Sequence, residues 1–293
     1  MDELRLRTVL QRVRLLPTFP EIVRNLVTLM DDPNASASDL KKYLDPSSAS
    51  EILRVANTAY FGSKSFRTIT SLEHAIAIIG FDHLSHILLQ MPFISLLDNA
   101  DPIFQRRGYV EHAIATASLS KILSEALLLA EPKVCYVAGL LHDIGVIVIY
   151  SRMKEEWQRI VALVQEGKGR IEAEREVLLF DHGYVGGLLL DMWNLPREIV
   201  VAVMFHHDLE GTKEFGEYAK VVDLANRLAK EMSRGEILSF EQFSQRYGGQ
   251  ISLLVGEGVC SFLALLENIY VQMRKMRVGI EKIGEAYDKG ACR

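Results

Sequence analysis

The stretch VCYVAGLLHDIG, residues 134–145, decides how this chain is read. Its apolar residues are spaced as in a buried helix, and it ends on an imidazole and a carboxylate side by side, His142 and Asp143. Neighbours on a helix diverge by ~100°, but at a helix end both can still reach one site. Gly145 is expected to stop that helix. A lone His-Asp pair is weak evidence, so its company matters. Upstream, His112 lies in YVEHAIATASLSKILSEALLL (109–129), a helical pattern with a face of small residues (Ala113, Ala117, Ser120) suited to close packing. Downstream, His182 opens another helical pattern, and His206-His207 ends the one opened by Pro196, REIVVAVMFHH.

Burying five imidazoles and a carboxylate without partners would be costly. A metal explains them together. Neutral imidazole with carboxylate suits a divalent transition metal (iron, manganese or zinc), as one ion or two. Asp143 is the candidate catalytic residue, because a carboxylate can bridge two ions and bridged ions can activate a water against a phosphoester. His74, His83 and His86 fall outside the order and read as structural.

The rest of the chain sets bounds. Its 293 residues suffice for a sizeable core, and 49% hydrophobic with 24% charged residues is ordinary for a soluble globular protein. A net charge of −5 without a long basic run gives no reason to expect nucleic acid. The best basic cluster, Arg274-Lys275 with Arg277, reads as a solvated helix face. Cys135, Cys260 and Cys292 have neither metal-ligand nor disulfide spacing, which fits a reducing compartment. The N-terminus lacks a signal-peptide core, and no uninterrupted apolar run approaches the ~20 residues of a membrane span. A cytoplasmic protein, not engaged with membrane, is expected.

Helical periodicity runs through almost the whole chain, and the expected fold is all-α. Val146 to Tyr150 is β-branched, yet the pattern continues at helical period through Leu163, so one helix is expected there. Pro20, Pro46, Pro132 and Pro196 open helices, as do Ser36-x-x-Asp39 and the capping-box pattern Ser239-x-x-Gln242. Gly62, Gly80, Gly167 and Gly211 stand at helix ends. The polar segment DNADPIFQRR (98–107) marks the main internal boundary, and a second break is expected near Tyr247-Gly248-Gly249; the chain is read as a helical subdomain at 1–105, a metal-site subdomain at 106–235 and C-terminal helices at 236–293. In the last part, Phe262, Leu266, Ile269, Met273, Met276, Ile280 and Ile283 form a four-three seam expected to pack on the chain's own body, with self-association as the alternative.

The ordered set H…HD…H…HH resembles the HD superfamily of metal-dependent phosphohydrolases. The first half narrows this to the HDOD domain, a signalling-associated bacterial branch. The signposts are Leu16-Pro17, Phe19-Pro20, Asp45-Pro46, Ala56-Asn57-x-Ala59-Tyr60-Phe61-Gly62, Ile69-x-Ser71-Leu72, Ala75-Ile76 and Gly80, with WNLPREIVVAVMFHH (193–207) later. The resemblance covers about residues 15–230. It implies an HDOD-type helical architecture with His112, His142, Asp143, His182, His206 and His207 as metal ligands. In the first half, Asn57 and Tyr60 read as packing and capping rather than as a ligand surface.

Two departures bear on activity. The superfamily ends its ligand set with an Ala-Asp step, where this chain has Ala225-Asn226. Asp223, one turn earlier, is a candidate substitute ligand, and the Asn226 amide a weaker one. The related cyclic-dinucleotide phosphodiesterases place a lysine after HD-x-Gly, where Val146 stands here. Their Gly-Tyr-Pro signature gives way to HHDLEGTKEFG (206–216). The expectation is a signalling or regulatory protein that senses a ligand at its metal site. The alternatives are an active phosphohydrolase on a nucleotide or cyclic dinucleotide, and a scaffold with an empty site. The expected partner is a signalling protein or a small phosphorylated ligand, with homo-oligomer contacts open.

Overall fold

The computed structural model describes residues 106–233, 238–255, 262–274 and 276, with residues 6–8, 10, 29, 36, 39, 42, 71, 73 and 74 of the first hundred. The expectations for Pro20, Pro46, Asn57, Tyr60, Gly62, Gly80, His83, His86, Cys260, Cys292, Ile280 and Ile283 lie outside the described residues. The fold is all-α, with no strand among the described residues.

Ten helices follow Arg106 among those residues. They are α1 Arg106–Leu127, α2 Pro132–Leu141, α3 Ile144–Arg152, α4 Lys154–Gln165, α5 Arg170–Leu178, α6 His182–Met192, α7 Arg197–Phe205, α8 Gly216–Ser233, α9 Phe240–Leu254 and α10 over 262–274. A 3-10 turn, Leu209–Gly211, leads from α7 towards α8. Helices α1 and α7 each pack on both α2 and α8, and α6 lies across α3 and α7. Leu6 and Leu10 join the same buried cluster as these helices.

Local signals placed several ends. Pro132 is the first residue of α2. Ser239 caps α9 through a full capping box with Gln242. At the isolated start near Ser36, both the amide and Oγ of that serine bond the Asp39 carboxylate, at 3.1 and 2.6 Å. Gly167 follows α4 with φ +99°.

Three expectations are corrected. Gly145 does not stop a helix. The chain turns at His142 and Asp143, and Gly145 is the second residue of α3, where it permits contact with α6: a Cβ there would stand 2.0 Å from the His182 carbonyl oxygen. The pattern through Leu163 is not one helix, since Met153 breaks it at φ −128°, ψ 57° and caps both α3 and α4. Nor does the chain break at Gly248-Gly249. Helix α9 runs through both, held on the core by Phe243, Tyr247 and Ile251 at four-residue spacing. In addition, 132–152 is apolar and long enough to cross a membrane by length and composition, with 78% of its most apolar window buried inside the protein. His142 and Asp143 interrupt it. The described part of the C-terminal seam packs on the chain's own core through Leu266, Ile269 and Met273.

Helix α5 ends on Leu179, a leucine 75% exposed and held at φ 73°. Glycine adopts that conformation freely, whereas an L side chain is strained there. Leu179→Gly is expected to stabilise by up to about 1 kcal/mol, a rise of roughly 2–4 °C in melting temperature by scanning calorimetry. A fall instead would reveal a packing partner for that side chain.

Candidate metal centre

All six ligand candidates come from helix ends or inward faces that the packing turns together. His112 projects from α1, His142 and Asp143 occupy the turn between α2 and α3, His182 begins α6, and His206-His207 follows α7. Two groups result: His112, His142 and Asp143 in one, His182, His206 and His207 in the other, each with its ligand atoms within 4.8 Å of one another. Asp143 joins them. Its Oδ1 lies 3.3 Å from His142 Nε2 and 2.9 Å from His182 Nε2, and its Oδ2 lies 3.7 Å from His112 Nε2. Within each group two Nε2 atoms face each other at 3.2 Å, in the pairs His112–His142 and His182–His207.

An outer ring of acceptors fixes three of the imidazoles. His142 Nδ1 donates to the Gly139 carbonyl and His206 Nδ1 to the Val203 carbonyl, both at 2.7 Å. His182 Nδ1 donates to Glu174 Oε2 at 2.7 Å, and the His182 amide donates to the same oxygen at 2.8 Å. An acceptor on Nδ1 holds the proton there and points the Nε2 lone pair inward, which is how metal-binding histidines are oriented. His206 Nε2 is the clearest case, being buried with no hydrogen-bond partner. A buried, unpartnered lone pair among such donors is what a cation would satisfy, so the residues present fit one or two divalent ions.

Burial pushes His112 down to about 3, Asp143 opposing, and pushes His207 down to about 2 with the help of His182. Burial and the neighbouring imidazoles also lower His206. His182 goes the other way: burial opposes its charge, but Glu174 and Asp143 overcome that and raise it to about 9. Asp143 and Glu174 are both held below the usual carboxylate range, burial being outweighed by the imidazoles. Without metal, the two carboxylates on either side of His182 favour its charged form.

Stability should follow the linked protons. Below the usual 6.5, the unfolded chain protonates His112, His206 and His207 more readily than the folded chain does, so stability is lost as the pH is lowered, by up to about 1 kcal/mol per unit for each. The stability from His182 is full below 6.5 and lost as pH rises towards 9. Asp143 and Glu174 subtract further only below about pH 4. Urea melts of chelator-stripped protein are expected to give maximal stability near neutrality, with a steep acid limb. A flat profile from pH 5 to 7 would contradict the burial of neutral imidazoles.

The two substitute ligands part company. Asp223 pairs with Arg227, one turn along α8. Asn226 is 1% exposed, and its buried side-chain amide lies against His112. Three supporting residues were not visible from sequence. Glu174 is 0% exposed and shares the inward face of α5 with Val177 and Leu178; a carboxylate at that register was the available signal. Its other oxygen accepts from Arg170 Nε at 3.1 Å. Arg175 donates twice to Asp181, the N-cap of α6, at 2.6 and 3.0 Å and once to the His207 carbonyl at 3.3 Å. His74 takes no part in either group; its amide bonds Ser71 Oγ.

A family model for the HDOD domain matches residues 16–209, and the chain belongs to the HDOD family. Its fold is similar to that of an HDOD domain protein of unknown function from Geobacter sulfurreducens (TM-score 0.70, 22% identity, 96% of this chain and 98% of that one). A Shewanella amazonensis protein provisionally named a phosphohydrolase is similar too (TM-score 0.71, 20% identity, 95% and 97%). So is a Marinobacter aquaeolei protein provisionally named for signal transduction (TM-score 0.66, 20% identity, 92% and 59%). In sequence, the chain is 23% identical over 235 residues to an uncharacterised protein of Treponema pallidum; the match takes in 75% of this chain and 43% of that relative, so the chain spans less than half its length.

Proposed function

We propose that this HDOD protein is a regulatory module whose HD-type centre holds divalent metal and binds a small phosphorylated ligand without efficient turnover. The observation that carries this reading is Asn226. A neutral amide, buried against His112, stands where the superfamily has its last carboxylate, in a centre that otherwise keeps both triads. The names of the structural relatives, one for signal transduction and one for phosphohydrolysis, are compatible with it.

When bound, divalent ions would supply positive charge for phosphate oxygens and lower the pKa of a nearby water. His112, His142 and Asp143 would hold one ion and His182, His206 and His207 the other, with Asp143 reaching both. Loading requires His182 to give up the proton on Nε2, while Glu174 keeps the one on Nδ1. With the imidazole nitrogens that face the centre and Asp143 taken up in holding the ions, none of the six would be free to protonate a leaving oxygen. At the position of the phosphodiesterase lysine, Val146 is 1% exposed in the core and offers nothing.

The second reading, an active phosphohydrolase, is favoured by the two complete triads meeting on Asp143. Elemental analysis of purified protein, then a panel of phosphoesters and cyclic dinucleotides with added manganese or iron, separates the two. Metal together with ligand binding by equilibrium dialysis, and turnover far under about 1 per second, is the expected result. Turnover in the usual enzyme range of about 1–10³ per second would establish the hydrolase instead.

A further inference from the structure

The two halves of the centre are not equivalent in charge. The His182 half is backed by a second carboxylate, since Glu174 Oε2 takes hydrogen bonds from both the Nδ1 and the amide of His182 at 2.7 and 2.8 Å while fully buried. Arg170 holds the other oxygen of Glu174, at 3.1 Å, so the carboxylate cannot rotate away. An imidazole that donates to a carboxylate is a stronger electron donor through its free nitrogen than one that donates to a carbonyl. The other half has no such support. His142 Nδ1 rests on the neutral Gly139 carbonyl, and Asn226 beside His112 is an uncharged amide. The first half thus offers three imidazoles, an anionic outer partner and a share of Asp143. The second offers two imidazoles, its share of Asp143 and an amide oxygen.

We propose that the centre fills in a fixed order, the His182–His206–His207 half first and the His112–His142 half second, and that Glu174 is the positioning residue that sets this order. The proposal rests on the metal-binding reading above and adds a regulatory property to it. Loss of one outer carboxylate costs metal sites about 10–100-fold in affinity. An asymmetry of that size leaves a wide span of free metal concentration over which the one-ion state dominates. Recognition of a phosphorylated ligand by two ions would then operate only above the second threshold, so the module would respond to metal supply as well as to ligand.

The test is a manganese(II) titration of the chelator-stripped full chain, followed by calorimetry and by equilibrium dialysis with elemental analysis. Two binding phases, separated by about tenfold or more, are expected. Glu174→Gln keeps the shape but removes the charge, and should weaken the tight phase by about 10–100-fold while sparing the weak one. Asn226→Asp should tighten the weak phase and narrow the gap, giving an independent arm should the Glu174 variant fold poorly. A single phase of two equivalent ions would overturn the order and leave the metal centre standing. So would a Glu174→Gln variant that weakens only the weak phase. No manganese bound in either phase would overturn the metal reading and the order with it.

Discussion

Asp143→Asn is expected to strip the centre of metal while leaving the helices in place. The substitution keeps the shape of the side chain, and the far-ultraviolet circular dichroism should match the parent. Only one of the six candidate ligands is a carboxylate, and it approaches His142, His182 and His112 at 3.3, 2.9 and 3.7 Å. Removing a supporting partner one shell out already costs about 10–100-fold in metal affinity. Removing the charge shared by both halves should cost more than about 100-fold, or about 2.7 kcal/mol. Elemental analysis after desalting, with dialysis against buffered manganese, measures this. A variant that keeps two ions at parental affinity would show that Asp143 is not the shared ligand.

Gly145→Ala is expected to have the largest effect on the fold. The added Cβ would stand 2.0 Å from the His182 carbonyl oxygen, 2.8 Å from the Gly186 amide nitrogen and 2.9 Å from the His182 carbonyl carbon. All three are backbone atoms of α6, so no side-chain rotation can relieve the clash, and the two helices must separate. Overpacking of this kind costs about 3 kcal/mol or more, roughly 10 °C in melting temperature for a chain of this size. Because the clash falls on the first residue of α6, it should also draw His182 away from Asp143 and weaken metal retention. Gly249→Ala is the matched control. Nothing lies within 4 Å of its added Cβ, and the residue is in the body of α9. There alanine should stabilise by up to about 1 kcal/mol. The same substitution with opposite signs at the two sites separates helix propensity from close approach; a Gly145→Ala protein melting with the parent would refute the crossing described.

The contrast between those two glycines also shows what the sequence could and could not reveal. The candidate site was legible because five histidines and a carboxylate in that order form a rare combination, and the structure brings the six side chains together in two groups linked by Asp143. The all-α fold was legible because 3.6-residue periodicity is a local property of each segment. Gly145 and Gly248-Gly249 were misread for one reason. A glycine that ends a helix and one that lets another helix approach, or merely sits within a long helix, look alike until the neighbour is known. Met153 was missed as a break because the apolar pattern passes through it without a proline or glycine to mark it. Glu174, Arg170 and Arg175 were hidden in the charged segment RIEAEREVL, where a carboxylate serving the centre resembles those facing solvent. Only the docking of α5 beside His182 distinguishes them.

Arg175 is the quiet member of that set. By binding both the N-cap of α6 and the carbonyl of His207, its guanidinium ties the two segments that bring His182 and His207 to the centre. With the carbonyls of Gly139 and Val203 holding two more rings, the donor atoms are arrested by the protein itself. The entropy of ordering them is therefore lost when the chain folds, not when an ion arrives. A site assembled in that way can empty and refill without the surrounding helices coming apart, unlike one whose chain folds around its metal. Reversible exchange on an intact framework distinguishes a receptor for a fluctuating ligand from a structural clasp.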